Sequence, residues 1–167
     1  MNAISIRPAR TPDVTAVRQL VSHYTGDGRL LAKAPVTLYE DVQEFIVAEA
    51  GGVVVGCGAL HVMWEDLGEV RTLAVDPQRT GEGIGGLILD HLIARARDLG
   101  LGRLFCLTFE VDFFRGRGFD EIEGSPVDHE VFEQLLQSYD EGVAEFLDLE
   151  RVKPNTLGNH RMLMLLR

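Results

Sequence analysis

Residues 75–89 read VDPQRTGEGIGGLIL, and their arrangement decides the fold. They join an apolar strand, Glu69 to Val75, to a helix that runs to about Leu99. Asp76-Pro77 ends the strand, because proline has no N–H to give a ladder. Ile84, Leu87, Ile88, Leu92, Ala96 and Leu99 recur at helical spacing, and Gly100 closes the helix. Between strand and helix lie glycines at 81, 83, 85 and 86. Glycine lets the backbone turn its N–H groups outward at a helix start, where unpaired N–H groups and the dipole favour an anion. A pyrophosphate is the natural occupant.

Two familiar phosphate loops do not fit. A P-loop needs G-x-x-x-x-G-K-[ST], and neither the Lys nor the following hydroxyl residue is present. Gly81-x-Gly83-x-x-Gly86 matches G-x-G-x-x-G literally. A dinucleotide fingerprint, however, follows the first strand of a βαβ unit, and this loop follows several strands.

Outward from the loop, Ile4 to Arg7 alternates like a half-buried strand. Thr11-Pro12-Asp13 predicts a helix start with a hydroxyl cap; Val14, Val17, Leu20 and Val21 form its apolar face, and Gly26 to Gly28 ends it. Pro35 interrupts residues 29–44, and Thr37 starts a short helix. Phe45 to Ala48 and Val53 to Val62 read as strands around a Gly51-Gly52 turn, a hairpin signal. Leu104 to Thr108 is a strand, Asp112 to Arg117 a turn of helix, and Arg161 to Leu166 a last strand. Residues 128–148 read as one acidic helix, free to pack within the domain or against a second copy in a homodimer. The expected architecture is one mixed α/β domain over residues 1–167, with an antiparallel hairpin feeding one parallel crossover.

Composition narrows the function classes. A chain of 167 residues fits one domain at ~100–200 residues each. Sixteen Lys and Arg against 26 Asp and Glu give a net charge of −10, which opposes a general nucleic-acid or anionic-membrane binder. No apolar run reaches a membrane span and no signal-peptide pattern opens the chain, so a cytoplasmic protein is expected. Cys57 and Cys106 sit in apolar runs and read as reduced core thiols. The histidines at 23, 61, 91, 129 and 160 are scattered, so no metal is expected.

The order VDP, three residues, G-x-G-I-G-x-x-L on a strand–loop–helix resembles motif A of the Gcn5-related N-acetyltransferase (GNAT) superfamily. IRPAR-TPDV resembles its opening strand and helix, VVVGCGAL its third strand, and FFRGRGF at 113–119 its F-Y-x-x-x-G-F element. The resemblance implies a mostly antiparallel mixed sheet with flanking helices, and acetyl-CoA as cosubstrate. It places the pyrophosphate on the amides of Gly81, Gly83, Ile84, Gly85 and Gly86. It sets the pantetheine arm along Leu73, Ala74 and Val75, paired through the backbone like an added strand. Thr80 stands where the superfamily usually has Arg or Gln, with Arg79 one place earlier. Phe114 lies beside the coenzyme where many members carry a Tyr that protonates the departing thiolate.

GRLLAK at 28–33, DLGEVRTLAVDP at 66–77, RLFCLTFEVDFFRGRGF at 103–119 and VKPNTLGNHRMLML at the tail are similar to the short stand-alone N-acetylglutamate synthases. These acetylate the α-amino group of L-glutamate, the entry to arginine biosynthesis, and also have Phe at position 114. The resemblance implies a small amino-acid substrate, L-glutamate or L-glutamine, held by cations. Lys33 falls on a carboxylate-binding position. Arg71 interrupts an apolar strand and is either functional or paired, since unpaired buried charge is costly. If the strand alternates regularly, Glu69, Arg71 and Leu73 share a face. Arg161, or as second choice Lys153, would close the site from the C-terminal segment, Lys153 being otherwise a solvated surface charge. An Arg of the longer synthases falls at Gly158.

The reaction needs a base for the ammonium, a donor for the oxyanion and an acid for the thiolate. Glu69 is the first choice as base, with a salt bridge to Arg71 as its alternative role; His61 is the second. The backbone N–H of Ala74 or Val75 suits the oxyanion. Tyr24, Tyr39, Tyr139 or water would supply the acid, and no spacing selects among them. Two other classes remain open: a GNAT enzyme for a polyamine, drug or protein N-terminus, and a non-catalytic acyl-CoA sensor.

Overall fold

The computed structural model describes residues 3–26, 30, 33–156 and 158–166. Gly28 and most of the GRLLAK segment lie outside the described residues. The strands form a seven-stranded sheet in the order β1-β2-β3-β4-β5-β7-β6: β1 Ile4–Pro8, β2 Phe45–Ala50, β3 Val53–Trp64, β4 Leu67–Val75, β5 Arg103–Thr108, β6 Asp120–Glu121 and β7 His160–Leu165. The β4–β5 pair is parallel, and the β1–β2, β2–β3, β5–β7 and β6–β7 pairs are antiparallel. The chain divides into two compact units, and β3 and β4 contribute residues to both.

The first unit takes residues up to His61 and Val70–Leu99. Its helices are α1 Val14–Thr25, α2 Pro35–Glu40 and α3 Ile84–Asp98. Thr11 does not cap α1. A 3-10 turn, Thr11–Asp13, precedes the helix, and the Asp13 carboxylate takes the Arg10 N–H at 2.7 Å. Arg7 donates to the same carboxylate at 2.8 and 2.9 Å, which holds the Asp13 pKa below its ordinary value. Pro35 opens α2 rather than interrupting it, because the first helical position needs no N–H. Val14, Val17, Leu20 and Val21 bury against Phe45, Val47, Cys57, Ala59 and Ala74. Each fully buried aliphatic contributes roughly 1.5–3 kcal/mol. On α3 the buried positions include Ile84, Ile88, Leu89, Leu92, Ile93 and Ala96, while Leu87 and Leu99 are exposed.

Gly56 and Gly58 let α3 approach β3. A Cβ on Gly58 would stand 2.8 Å from Ile88 Cγ2, 3.0 Å from Leu92 Cδ1 and 3.2 Å from Leu73 Cδ1. On Gly56 it would meet Ile88 Cδ1 at 2.8 Å and Ile84 Cγ2 at 3.1 Å. Overpacking of this kind costs about 1–3 kcal/mol. Gly58→Ala is therefore expected to lower the denaturation free energy by about that amount in urea melts. A change under about 0.3 kcal/mol would show that α3 yields without cost.

The second unit takes Val62–Glu69 and the chain from Gly100 onward. The parallel ladder sets Leu67 opposite Arg103, Gly68 opposite Leu104 and Glu69 opposite Phe105. The segment read as one helix over 128–148 forms two: α5 His129–Leu135 and α6 Glu141–Phe146. The break has a local cause. Asp128 and Asp140 each accept the N–H three residues on, from Val131 and Val143 at 2.9 Å, so Asp140 caps a new helix. Both helices turn their apolar faces onto their own unit: Leu135, Val143, Phe146 and Leu147 cluster with Met63, Leu67 and Phe105. In the same unit, α4 Val111–Arg115 carries the edge-on pair Phe113 and Phe114, and α7 Lys153–Thr156 leads into β7.

Candidate active site

In the first unit, β4 delivers the chain to the glycine loop. Thr72 has φ +57°, a left-handed conformation that a β-branched residue rarely adopts, and it is buried. Such strain costs about 1–3 kcal/mol and persists only where the surroundings impose it. It breaks the alternation between Arg71 and Leu73. Regular alternation, the condition for Glu69, Arg71 and Leu73 to share a face, is therefore interrupted at Thr72. Beyond it, Leu73 lies against the α3 side of Gly58, and Ala74 packs into the α1 cluster.

Tyr24, near the end of α1, donates its hydroxyl to the Val75 carbonyl. This contact spans 51 residues, so no local spacing announces it. It places one of the three candidate tyrosines at the end of β4; Tyr39 and Tyr139 are 48% and 100% exposed. His61 Nδ1 stands 2.8 Å from Glu44 Oε2. Lys33 is half-buried, just before the Ala34 N-cap of α2, and Arg71 is half-buried on β4.

The loop after β4 is pinned at its base. The Asp76 N–H reaches the Val55 carbonyl at 2.8 Å, and the Asp76 carboxylate takes the Gln78 N–H at 2.9 Å. A 3-10 turn, Pro77–Arg79, leads to Thr80, which is extended and exposed. Gly81 and Gly83 have φ of +85° and +80°, and a Cβ on either would meet nothing within 4 Å. Both are thus required for conformation, with open space over them. Gly83 is the N-cap of α3 and has no side chain to occupy the helix start. Ile84, Gly85 and Gly86 follow in the first turn, whose N–H groups have no intrahelical acceptor. Ile84 is 1% exposed and anchors that turn inward. The arrangement is a cradle of backbone donors at a helix N-terminus.

In the second unit, Glu69 is 4% exposed. Arg161 places its Cζ 4.9 Å over the ring of Phe105, the ladder partner of Glu69. Its guanidinium donates to the carbonyls of Gly124 at 2.9 Å, Glu145 at 3.2 Å and Phe146, and to the Ser125 hydroxyl at 3.4 Å. Burial pulls the Arg161 pKa down, and the charges of Asp148 and Glu69 push it back. The donors expected to close on substrate are thus already directed at protein oxygens. Lys153 pairs with Asp148 at 3.4 Å. Phe114 is 5% exposed and packs edge-on against Phe113 and Phe119, at 5.1 and 5.2 Å. Gly158 has φ +83°, and a Cβ there would press on Phe109 at 3.1 Å. Burial pushes the Cys106 thiol well up, with Glu69's charge adding, and pushes Cys57 up to about 12. Neither is a nucleophile at neutral pH.

Arg79 and Glu82 form an ion pair at 2.9 Å across the loop. Opposite charges three residues apart were the available signal. Among the described residues no group of three or more His, Cys, Asp or Glu gathers to hold a metal ion. No helix among them is long and apolar enough to cross a membrane.

Comparison with known proteins bears on the same loop and strands. Residues 14–119 match the model of the acetyltransferase (GNAT) family. An amino-acid acetyltransferase of Mycobacterium tuberculosis is 62% identical over 164 residues, covering 96% of this chain and 94% of that protein. The crystal structure of a Mycobacterium tuberculosis protein in complex with CoA and a second ligand superposes with a TM-score of 0.95 at 61% identity, over 98% of this chain and 99% of that one. The N-acetylglutamate synthase of Neisseria gonorrhoeae, complexed with CoA and N-acetyl-glutamate, gives 0.79 at 27% identity; the whole chain is covered but only 36% of that protein.

Proposed function

The chain belongs to the acetyltransferase (GNAT) family, and from that premise we propose that it moves the acetyl group of acetyl-CoA to the α-amino group of L-glutamate or L-glutamine. The observation that carries the coenzyme half is the open cradle of Gly81 and Gly83 at the start of α3. A diphosphate accepts from its N–H groups, and a Cβ on either glycine would meet nothing within 4 Å. The substrate half rests on the similarity to an amino-acid acetyltransferase and to an N-acetylglutamate synthase, with Lys33 and Arg71 as cations for the carboxylates. In the synthases it resembles, this reaction opens arginine biosynthesis.

The mechanism follows from the chemistry. An ammonium has no lone pair, so Glu69 accepts a proton from it, directly or through water. The neutral amine attacks the acetyl carbonyl, held close by the bound coenzyme. Of the two candidate donors, the Ala74 N–H is turned to the Cys57 sulfur, so the Val75 N–H receives the oxyanion, and collapse expels the CoA thiolate. Phe114 has no proton to give, so the thiolate is protonated by water or by Tyr24.

Thiol release from acetyl-CoA across the amino acids, spermidine and a peptide panel tests this. Turnover with glutamate or glutamine is expected. Turnover confined to polyamines or peptides would refute the amino-acid substrate, and tight CoA binding without turnover would mark a sensor. Lys33→Ala is expected to raise the KM for the amino acid about tenfold and leave the KM for acetyl-CoA within twofold. Equal changes in both would remove Lys33 from the carboxylate site.

A further inference from the structure

The phosphate loop contains its own contradiction. Glu82 stands between Gly81 and Gly83, the two residues that open the cradle to an anion. A carboxylate at that point repels a diphosphate. The structure shows how the repulsion is met. Arg79 folds back over the loop, its Nε 3.1 and 3.3 Å from the Glu82 carboxylate oxygens and its Nη2 2.9 Å from Oε1. The backbone beneath it is fixed: the Arg79 N–H bonds the Asp76 carbonyl at 2.8 Å, and Asp76 is tied to Val55 of β3.

A guanidinium has five N–H donors in a planar fork. Glu82 occupies one edge, through Nε–H and one N–H of Nη2. Nη1 makes no hydrogen bond among the described residues, and the Arg79 side chain remains 28% exposed. The second edge, Nη1 with the other N–H of Nη2, is therefore presented to solvent in a fixed orientation. That edge has the geometry for two parallel bonds to phosphate oxygens.

We propose that Arg79, oriented by Glu82, is a phosphate ligand of the coenzyme, adding a side-chain fork to the backbone cradle of Gly81–Gly86. Glu82 then acts as a positioning residue: it steers the guanidinium, and the guanidinium cancels its charge. This rests on the acetyl-CoA assignment above and adds a specific contact to it.

Calorimetric titration of the purified protein with CoA and with dephospho-CoA tests the assignment. Arg79→Gln is expected to weaken CoA about tenfold. Arg79→Lys should remain several-fold weaker than the native protein, because an ammonium lacks the fork. The double variant, Arg79→Gln with Glu82→Gln, separates contact from charge cancellation. It stays weak if Arg79 touches phosphate. It returns to native affinity if Arg79 only neutralises Glu82, and that result overturns the proposal. Equal losses with CoA and dephospho-CoA assign the fork to the diphosphate, and a loss confined to CoA assigns it to the 3′-phosphate; both uphold it. Arg79→Gln within twofold of native refutes it while leaving the coenzyme assignment intact. Failure of the native protein to bind CoA refutes the coenzyme assignment itself, and the Arg79 contact with it.

Discussion

Gly83→Asp is expected to raise the Kd for CoA at least 100-fold, about 2.7 kcal/mol, while the protein stays folded. Two effects of the substitution have to be kept apart. The first is backbone strain, since Gly83 has φ +80°. A left-handed conformation costs an ordinary residue roughly 1–2 kcal/mol, and Asp and Asn bear it best. No steric cost is added, because a Cβ at Gly83 meets nothing within 4 Å. A negative charge at a helix start is also favourable to the helix dipole. Stability therefore changes little. The second effect is at the ligand: the carboxylate accepts the first N–H groups of α3 and puts a negative charge where the diphosphate sits. Gly83→Asn isolates that charge, having the same shape and the same tolerance of the left-handed region. Asn should cost far less affinity than Asp. Aspartate binding CoA within threefold of native, in a protein of unchanged Tm, would remove the diphosphate from this helix start.

The loop was readable because its signal is local. Four glycines within six residues, after Asp76-Pro77 and before a helical apolar stripe, admit few backbones. The Gly51-Gly52 hairpin was readable for the same reason, and both residues have positive φ. What escaped is of two kinds. Contacts between distant segments leave no spacing behind, as with Tyr24 on the Val75 carbonyl or Arg161 on the carbonyls of Glu145 and Phe146. Competing local chemistry also changed elements that periodicity merged. Asp140 caps a helix in the middle of an apolar-acidic run, so one expected helix became two. Thr72 is a further case: nothing in a β-branched residue announces φ +57°, and the strain there is imposed by the surrounding fold.

Arg161 shows why a charged residue type alone does not assign a role. A cation in the C-terminal strand suited a dicarboxylate substrate. Its donors instead cap the end of α6 and hold the Gly124–Ser125 loop. Cations at a helix C-terminus are favourable in themselves. A half-buried guanidinium stacked on Phe105 also sets a positive charge near buried Glu69. A carboxylate removed from water stays ionised only with such compensation. In the proposed mechanism Arg161 therefore keeps a positive charge near the base.

Glu69→Gln then carries the second large effect. The amide keeps the size of the side chain but cannot take a proton, so kcat is expected to fall about 10²–10⁴-fold. The Kd for CoA should remain within twofold, since the loop is untouched. A purely structural role predicts a different pattern: if Glu69 only balances Arg161, the amide leaves an uncompensated cation, lowers Tm and spares the turnover of the protein that remains folded. The pH profile separates these further. Without a base, the enzyme depends on amine already deprotonated in solution, so residual kcat/KM should climb about tenfold per pH unit below the amine pKa. The native enzyme, which takes the proton from the bound ammonium, should instead show a much shallower rise. A variant with native kcat, or a residual rate flat from pH 6 to about pH 8, would pass the role of base to another group, with His61 next in line. Its pairing with Glu44 at 2.8 Å would then have to be read as orienting an imidazole rather than closing a core.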